Sequence, residues 1–173
     1  MKLTFRGLEK TELITIKEID RSETIHEIYK YTNGKLILKP EHCVVTAFEP
    51  KELEYIIKSQ NRIFEERGKV IGVFDGDTIV GVASVENKIR GIHSEYCKMD
   101  ILYVSSNYRG KRIGHKLLEE CKKIALDFGA KNSIFLPHLP KLPLTFTGMK
   151  ALLLPRKLIQ NYLNWSHLIF ILN

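Results

Sequence analysis

Apolar residues recur three or four apart over two stretches of the chain and alternate or run together over several shorter ones, a pattern that predicts an α/β protein. After Pro50, the residues Leu53, Ile56, Ile57 and Ile63 fall along one face of a helix that the proline opens and Gly68 closes. From Ile113, the positions Leu117, Cys121, Ala125 and Phe128 form a core-facing stripe, with Gly129 as its C-cap. Val70–Phe74 and Thr78–Val85 flank Asp75-Gly76-Asp77 and predict an antiparallel hairpin of central strands. In Tyr96–Val104, Met99, Ile101 and Tyr103 are expected on one face of a strand, with Asp100, Leu102 and Val104 on the other. The pattern is weaker upstream. Leu13–Ile16 reads as a short strand, and Ser22 as the cap of a helix through Ile25, Ile28 and Tyr29. Asn33-Gly34 reads as a hairpin turn, with Pro40 ending the second strand early. That insertion is expected to be a surface elaboration, with the lining of a substrate site as the alternative.

Composition narrows the class without naming a function. At 173 residues and 44% apolar content the chain fits one globular domain. Met1–Lys10 contains no apolar run of signal-peptide type, and no stretch reaches the roughly twenty apolar residues of a membrane span, so a cytoplasmic location is expected. Cys43, Cys97 and Cys121 lie far apart and form no C-x-x-C pair, which argues for buried free thiols rather than a disulfide framework or a zinc site. The net charge of +7 would suggest an anionic partner if it were spread evenly. It is not: after Asp127 there is no acidic residue, while Lys131, Lys141, Lys150, Arg156 and Lys157 are all basic. The body is nearly balanced, so neither nucleic acid nor a membrane is an expected partner.

Candidate chemistry gathers where the strand Tyr96–Val104 gives way to the helix. Tyr108-Arg-Gly-Lys-Arg-Ile-Gly-His-Lys-Leu-Leu118 sets small and basic residues ahead of helix amides that have no intrahelical acceptor, a combination that favours an anion. On the other side of the turn, Asp100 is the candidate general base. A carboxylate sharing its face with Leu102 and Val104 is expected to have a raised pKa, and a paired core carboxylate is the alternative. Glu86 and Glu95 are weaker candidates, and His93 and His115 bystanders.

The strand, the polar turn, Arg109-Gly110-Lys111-Arg112-Ile113-Gly114 and Leu117-Leu118 together resemble motif A of the GNAT acetyltransferases, R/Q-x-x-G-x-G/A. The resemblance covers about residues 10–131 and is specific only over about 96–130. It implies a GNAT-like acyl-CoA N-acyltransferase fold, α/β (α+β), with a mixed, mostly antiparallel central sheet flanked by helices. It also implies acetyl-CoA as cosubstrate, a small-molecule or protein amine as acceptor, and no metal. Under it, backbone amides around Leu102, Tyr103 and Val104 hold the pantetheine and thioester. Those of Arg109, Gly110, Lys111, Arg112, Ile113, Gly114 and His115 hold the pyrophosphate, with charge added by Lys111, Arg112 and Lys116. Arg109 takes the R/Q place and Gly114 the last one. Arg112 stands where the family has its first glycine, so a side chain occupies a point of close backbone approach, and its guanidinium is expected to pair with phosphate instead.

From about Asn132 neither helical period nor strand alternation continues, and four of the six prolines lie beyond this point. The fifth strand, the tyrosine-bearing helix phrase F-Y-x-x-x-G-F and the two closing strands that the resemblance implies are not legible. Codons for Ser133 to Ala151, read one base out of step, permit Y-I-S-A-T-P-S-E-T-A-V-D-F-Y-R-N-E-G, which contains most of that phrase. Those for Asn161 to Asn173 permit L-F-E-L-E-P-F-D-I-H-F-E, an alternating acidic strand. Lys131-Asn132 requires adenine-rich codons, where one-base slips are favoured. The chain is therefore expected to divide into a GNAT-like domain at 1–131 and a frameshifted basic tail at 132–173. With the general acid and closing strands lost, impaired activity and either low solubility or a homodimer are expected, because the apolar edge of the Tyr96–Val104 strand would be open. Two rival functions remain: a non-catalytic acyl-CoA-binding protein, and a membrane or nucleic-acid module working through the tail. Tyr162 fits no motif as a replacement acid.

Overall fold

A computed structural model of the protein describes residues 2–32, 35–91, 95–135 and 170–172. Strand β1 (Leu3–Gly7) is followed by a 3-10 helix (Lys10–Glu18), a hairpin of β2 (Glu23–Thr32) and β3 (Lys35–Val45), and helix α1 (Pro50–Glu65). Then come β4 (Lys69–Asp75), β5 (Thr78–Arg90), β6 (Tyr96–Val104), helix α2 (Ile113–Asp127), β7 (Asn132–Phe135) and β8 (Phe170–Leu172). The main sheet runs β1-β4-β5-β6-β7-β8, and β2 and β3 form a separate two-stranded sheet. All neighbours are antiparallel except β6 and β7. This is the mixed, mostly antiparallel sheet expected.

Two apolar layers fix the helices on opposite faces. Leu117, Cys121 and Ala125 of α2 pack with Val73, Val85 and Met99, all fully or nearly fully buried. Ile56 and Ile63 of α1 pack with Leu13, Ile16, Val82 and Ile101 on the other face. Glu49 and Glu52 form a capping box ahead of α1, with Pro50 in the first turn. Helix α2 ends where Gly129, at φ +93°, takes the left-handed cap. The amides of Gly129 and Ala130 donate to the carbonyls of Leu126 and Ala125, the paired bonds that close a helix in this way.

Several expectations upstream are corrected. Leu13–Ile16 is not a strand; it lies in the 3-10 helix, whose three-residue turn buries both Leu13 and Ile16. No helix follows Ser22, because the β-branched and aromatic content of Glu23–Thr32 is satisfied by pairing with β3. Pro40 does not end β3. The register shifts between Ile25↔Cys43 and Glu27↔Pro40, and an irregularity beside the proline lets the strand pass a residue without an amide proton.

The strict alternation expected in β6 is also corrected. Ala83 pairs with Leu102 but Val85 pairs with Met99, so β6 carries one residue more than β5 around Asp100 and Ile101. This β-bulge changes the face. Cys97 and Met99 belong to the α2 layer together with Leu102 and Val104, whereas Ile101 and Tyr103 belong to the α1 layer. Asp100 reaches α1 residues and therefore does not share a face with Leu102 and Val104.

A fifth strand of the main sheet, not legible in the sequence, follows α2. Asn132–Phe135 is a strand, parallel to Tyr96–Met99, and β8 pairs with it. The rest of the proposed tail, including Tyr162 and the whole tyrosine phrase, lies outside the described residues, as do the Asn33-Gly34 turn and His93.

Candidate active site

The C-terminal half of β6 has two unlike edges. The amide of Ser105 donates to the carbonyl of Val80 at 2.9 Å, so strand alternation turns the amide and carbonyl of Tyr103 towards β5 and those of Leu102 and Val104 away from it. On that outer side the described part of β7 pairs with Tyr96–Met99, and among the described residues no strand pairs with the outer edge of Leu102–Val104. The carbonyl of Val104 accepts from Arg109 Nε at 3.1 Å.

The turn after β6 delivers a helix N-terminus to the same place. A short 3-10 turn, Ser106–Tyr108, is pinned by the Tyr108 hydroxyl, which donates to Asp75 at 2.9 Å. Gly110 has φ +74° and Arg112 has φ +60° and ψ +15°, both left-handed. The first intrahelical bond runs from the Lys116 amide to the Arg112 carbonyl at 3.1 Å, and no side chain caps α2. The amides of Ile113, Gly114 and His115 thus point out of the helix end with the positive end of its dipole behind them. Arg112 sits in a conformation that glycine adopts without strain, which is why a glycine suits this position; any other residue costs about 1–2 kcal/mol there. Arg112, Lys111, His115 and Lys116 are all exposed beside the turn, although the Lys111 ammonium donates to the Asn107 carbonyl at 2.9 Å.

On the α1 face, Asp100 accepts from Ser59 Oγ at 2.8 Å, from Gln60 Nε2 at 3.0 Å and from the Lys98 ammonium. Burial pushes its pKa up, but the Lys98 charge and the three hydrogen bonds outweigh burial and hold the carboxyl below its ordinary value of 3.8. The expected rise is therefore corrected, because the apolar neighbours are on the other face and the partners are polar. Glu86, also buried, pairs with Lys98 at 3.3 Å, with Arg62 at 3.5 Å and with Arg90. Among the described residues Gln60 Oε1 and Ser84 Oγ are buried without a hydrogen-bond partner, and Ser84 lies across from the bulge.

Next to this network, Arg21 pairs with Glu52 at 2.5 Å and lies over the Phe48 ring, 5.0 Å from its centroid. Phe48 meets Tyr103 edge-on at 5.1 Å. Burial raises the Tyr103 phenol well above its usual value. Sequence reasoning missed Ser59, Gln60, Lys98, Arg21 and Glu52. A signal existed for two of them: Ser59 and Gln60 interrupt the apolar stripe of α1 between Ile56 and Ile63, where a solvated side chain has no place. Glu95 lies just ahead of β6, and His115 is exposed on α2.

A six-stranded mixed sheet with one parallel pair, β6 and β7, and a helix N-terminus that follows β6 fit the GNAT acyl-CoA N-acyltransferase fold. The model of the acetyltransferase (GNAT) family matches residues 25–141, and the chain belongs to that family. Among solved structures it is similar to nourseothricin acetyltransferase, at 16% identity and a TM-score of 0.60 over 79% of this chain and 74% of the other. It is also similar to a putative streptothricin acetyltransferase from Bacillus anthracis in complex with acetyl coenzyme A, at 18% identity and a TM-score of 0.56 over 79% and 75%. A putative acetyltransferase from Salmonella typhimurium, solved with its cofactor acetyl-CoA, matches at 15% identity and a TM-score of 0.51 over 79% and 70%. No curated protein matches the chain. Among the described residues no helix is long and apolar enough to cross a membrane, and no group of histidine, cysteine and carboxylate side chains could hold a metal ion.

Proposed function

We propose that the chain is an N-acetyltransferase that uses acetyl-CoA to acetylate a primary amine of a small molecule or protein. The observation that carries this reading is the convergence of the outer edge of Leu102–Val104, which no strand pairs among the described residues, with the uncapped amides of Ile113, Gly114 and His115. A long ligand with an amide-bearing arm and a doubly charged phosphate end suits both. The arm adds to the open edge as a strand would, and the pyrophosphate takes the helix N-terminus together with the amides of Arg109 to Arg112. Acetyl-CoA supplies an activated acyl group; the neutral acceptor nitrogen bonds to the acyl carbon and gives up one proton, the carbon–sulfur bond breaks, and the departing thiolate takes up one proton, so that the amide and free coenzyme A result. The backbone of β6 orients the thioester, and an acceptor arriving from the α1 face meets Tyr103, Phe48 and the Arg21–Glu52 pair. Asp100 serves this centre best by fixing the bulge rather than by taking the proton.

Calorimetric titration with acetyl-CoA tests the reading. Micromolar binding by the parent, weakened at least tenfold in Gly114→Glu, is expected, because a carboxylate at the helix N-terminus repels the pyrophosphate. Equal binding by both proteins would overturn the site. Thioester consumption over a panel of amines then separates an enzyme from a protein that only binds acyl-CoA.

We further propose that 132–173 is the out-of-frame product of a gene whose intact frame supplies the tyrosine helix. Sequencing the codons from Phe128 to Leu144 and past the stop decides this. An open offset frame identifies an impaired product of a complete enzyme, and an interrupted one makes the tail genuine. If the closing segments are lost, the open β6 edge is expected to produce a homodimer or aggregate in light scattering, and a stable monomer would contradict it.

A further inference from the structure

Arg109 occupies the motif position assigned to phosphate binding, yet its side chain faces elsewhere. Its Nε donates to the Val104 carbonyl and its Nη1 to the Ser22 carbonyl, each at 3.1 Å, and Nη1 also lies 3.8 Å from the Glu23 carboxylate. A second set of bonds runs beside this one. The Ser106 amide donates to the Asp20 carbonyl at 2.8 Å, the Asp20 amide donates to Ser105 Oγ at 3.1 Å, and the Ser106 hydroxyl donates to the Asp20 carboxylate. The same carboxylate accepts from the Ser22 amide at 2.9 Å, turning the chain into β2. Five contacts thus join Asp20–Glu23, the root of the β2–β3 hairpin, to the Val104–Arg109 segment that leads into the helix N-terminus. Among the described residues the hairpin is a separate two-stranded sheet, and such a sheet has little stability of its own. Its root is therefore a point at which its angle can be fixed.

We infer that Asp20 and Arg109 are positioning residues that latch the hairpin root to the acyl-CoA turn, so that occupancy of the turn orders the hairpin beside the acceptor side of the sheet. This rests on the proposal that the turn holds acyl-CoA. Binding at the amides of residues 109–115 restrains the turn, and residues bonded to it lose freedom with it at no further cost. Coupling of this kind has the ordinary size of 1–3 kcal/mol, or about 5- to 150-fold in an equilibrium. A cofactor-loaded protein would then present a fixed hairpin to the amine, and a free one a loose hairpin.

Hydrogen–deuterium exchange on the full chain, with and without coenzyme A, tests the latch. In the parent, coenzyme A should slow exchange in peptides covering 105–118 and, by about fivefold or more, in peptides covering 20–45. In Asp20→Ala the slowing at 105–118 should persist and that at 20–45 should disappear. Ser106→Ala, which removes one hydroxyl, should give a partial loss and serves if Asp20→Ala does not melt cooperatively. Slowing at 105–118 without any at 20–45 in the parent overturns the latch and leaves the acyl-CoA site standing. Full slowing at 20–45 in folded variants also overturns it. No slowing anywhere refutes the acyl-CoA site itself, and the latch with it.

Discussion

The two faces of the main sheet are built on different principles. Among the described residues the α2 face is closed by aliphatic side chains, methionine and two thiols, and the buried charged groups lie on the other face. The α1 face has an aliphatic layer of its own but also buries Ser59, Gln60, Ser84, Glu86 and Asp100, tied by Lys98, Arg62 and Arg90. The first face carries only the scaffold of the phosphate turn, and packing alone suffices for that. The second sits behind the bulge of β6, where the strand must hold an irregular shape, and directed polar contacts fix an irregular backbone better than isotropic packing does. The difference teaches that buried charge in this protein gathers where the backbone of β6 is irregular.

The contrast is sharpest at Asp100. Asp100→Ala leaves the half-buried Lys98 ammonium with Glu86 alone and Ser59 and Gln60 without their acceptor, and should cost about 3 kcal/mol, read as a fall in the urea midpoint at unchanged slope. The same carboxyl sets an acid limb. Its folded pKa lies below the ordinary value, so it contributes stability in full above the unfolded value of 3.8, and this is lost as pH falls through the lower folded one. Asp100→Asn should flatten that limb in melts recorded from pH 6 down to about 2. A limb of unchanged depth would show that the acid sensitivity belongs to other groups.

On the opposite face, Leu117→Ala removes a fully buried side chain from a purely apolar layer and should cost about 3 kcal/mol, with no change in the acid limb. A pH-dependent penalty would break the distinction between the faces. At the cradle, Arg112→Gly should raise stability by about 1 kcal/mol, since it relieves a left-handed arginine. If the guanidinium also pairs with phosphate, this variant should bind acetyl-CoA more weakly, by a margin that shrinks at high salt. The smallest effect is expected for Arg62→Ala. Its side chain is 55% exposed and 3.5 Å from Glu86, so the loss should stay near about 0.5 kcal/mol although the carboxylate it meets is buried.

The sequence made the α2 side of this picture almost fully readable. A stripe at Ile113, Leu117, Cys121 and Ala125 admits one reading, and Gly129 marks its end without ambiguity. The same is true of Arg112, whose place in the motif pointed to a glycine position before its left-handed φ was known. Asp100 was found but misread. Hydropathy alternation assumes two residues per step, and nothing in Met99-Asp100-Ile101-Leu102 announces an extra one; the bulge appears only when β6 is laid against β5. The hairpin was half legible. Ile25, Ile28 and Tyr29 satisfy a helical spacing, and only pairing with β3, a contact distant in sequence, decides for strand. The latch at Asp20 and Arg109 was invisible for the same reason, since its partners are more than eighty residues apart.

The three thiols divide the molecule into an outside and an inside. Cys97 and Cys121 are fully buried in the α2 layer, one on the sheet and one on the helix, and burial pushes the Cys121 thiol up to about 12, while Cys43 on the hairpin is half-exposed. An alkylating reagent therefore meets one cysteine in the native protein at once and two others only after α2 has parted from β6. The number of fast-reacting thiols is a count of how much of a preparation is folded. A value near one per chain describes a closed sheet, and a drift towards three times the opening of the layer that carries the phosphate turn.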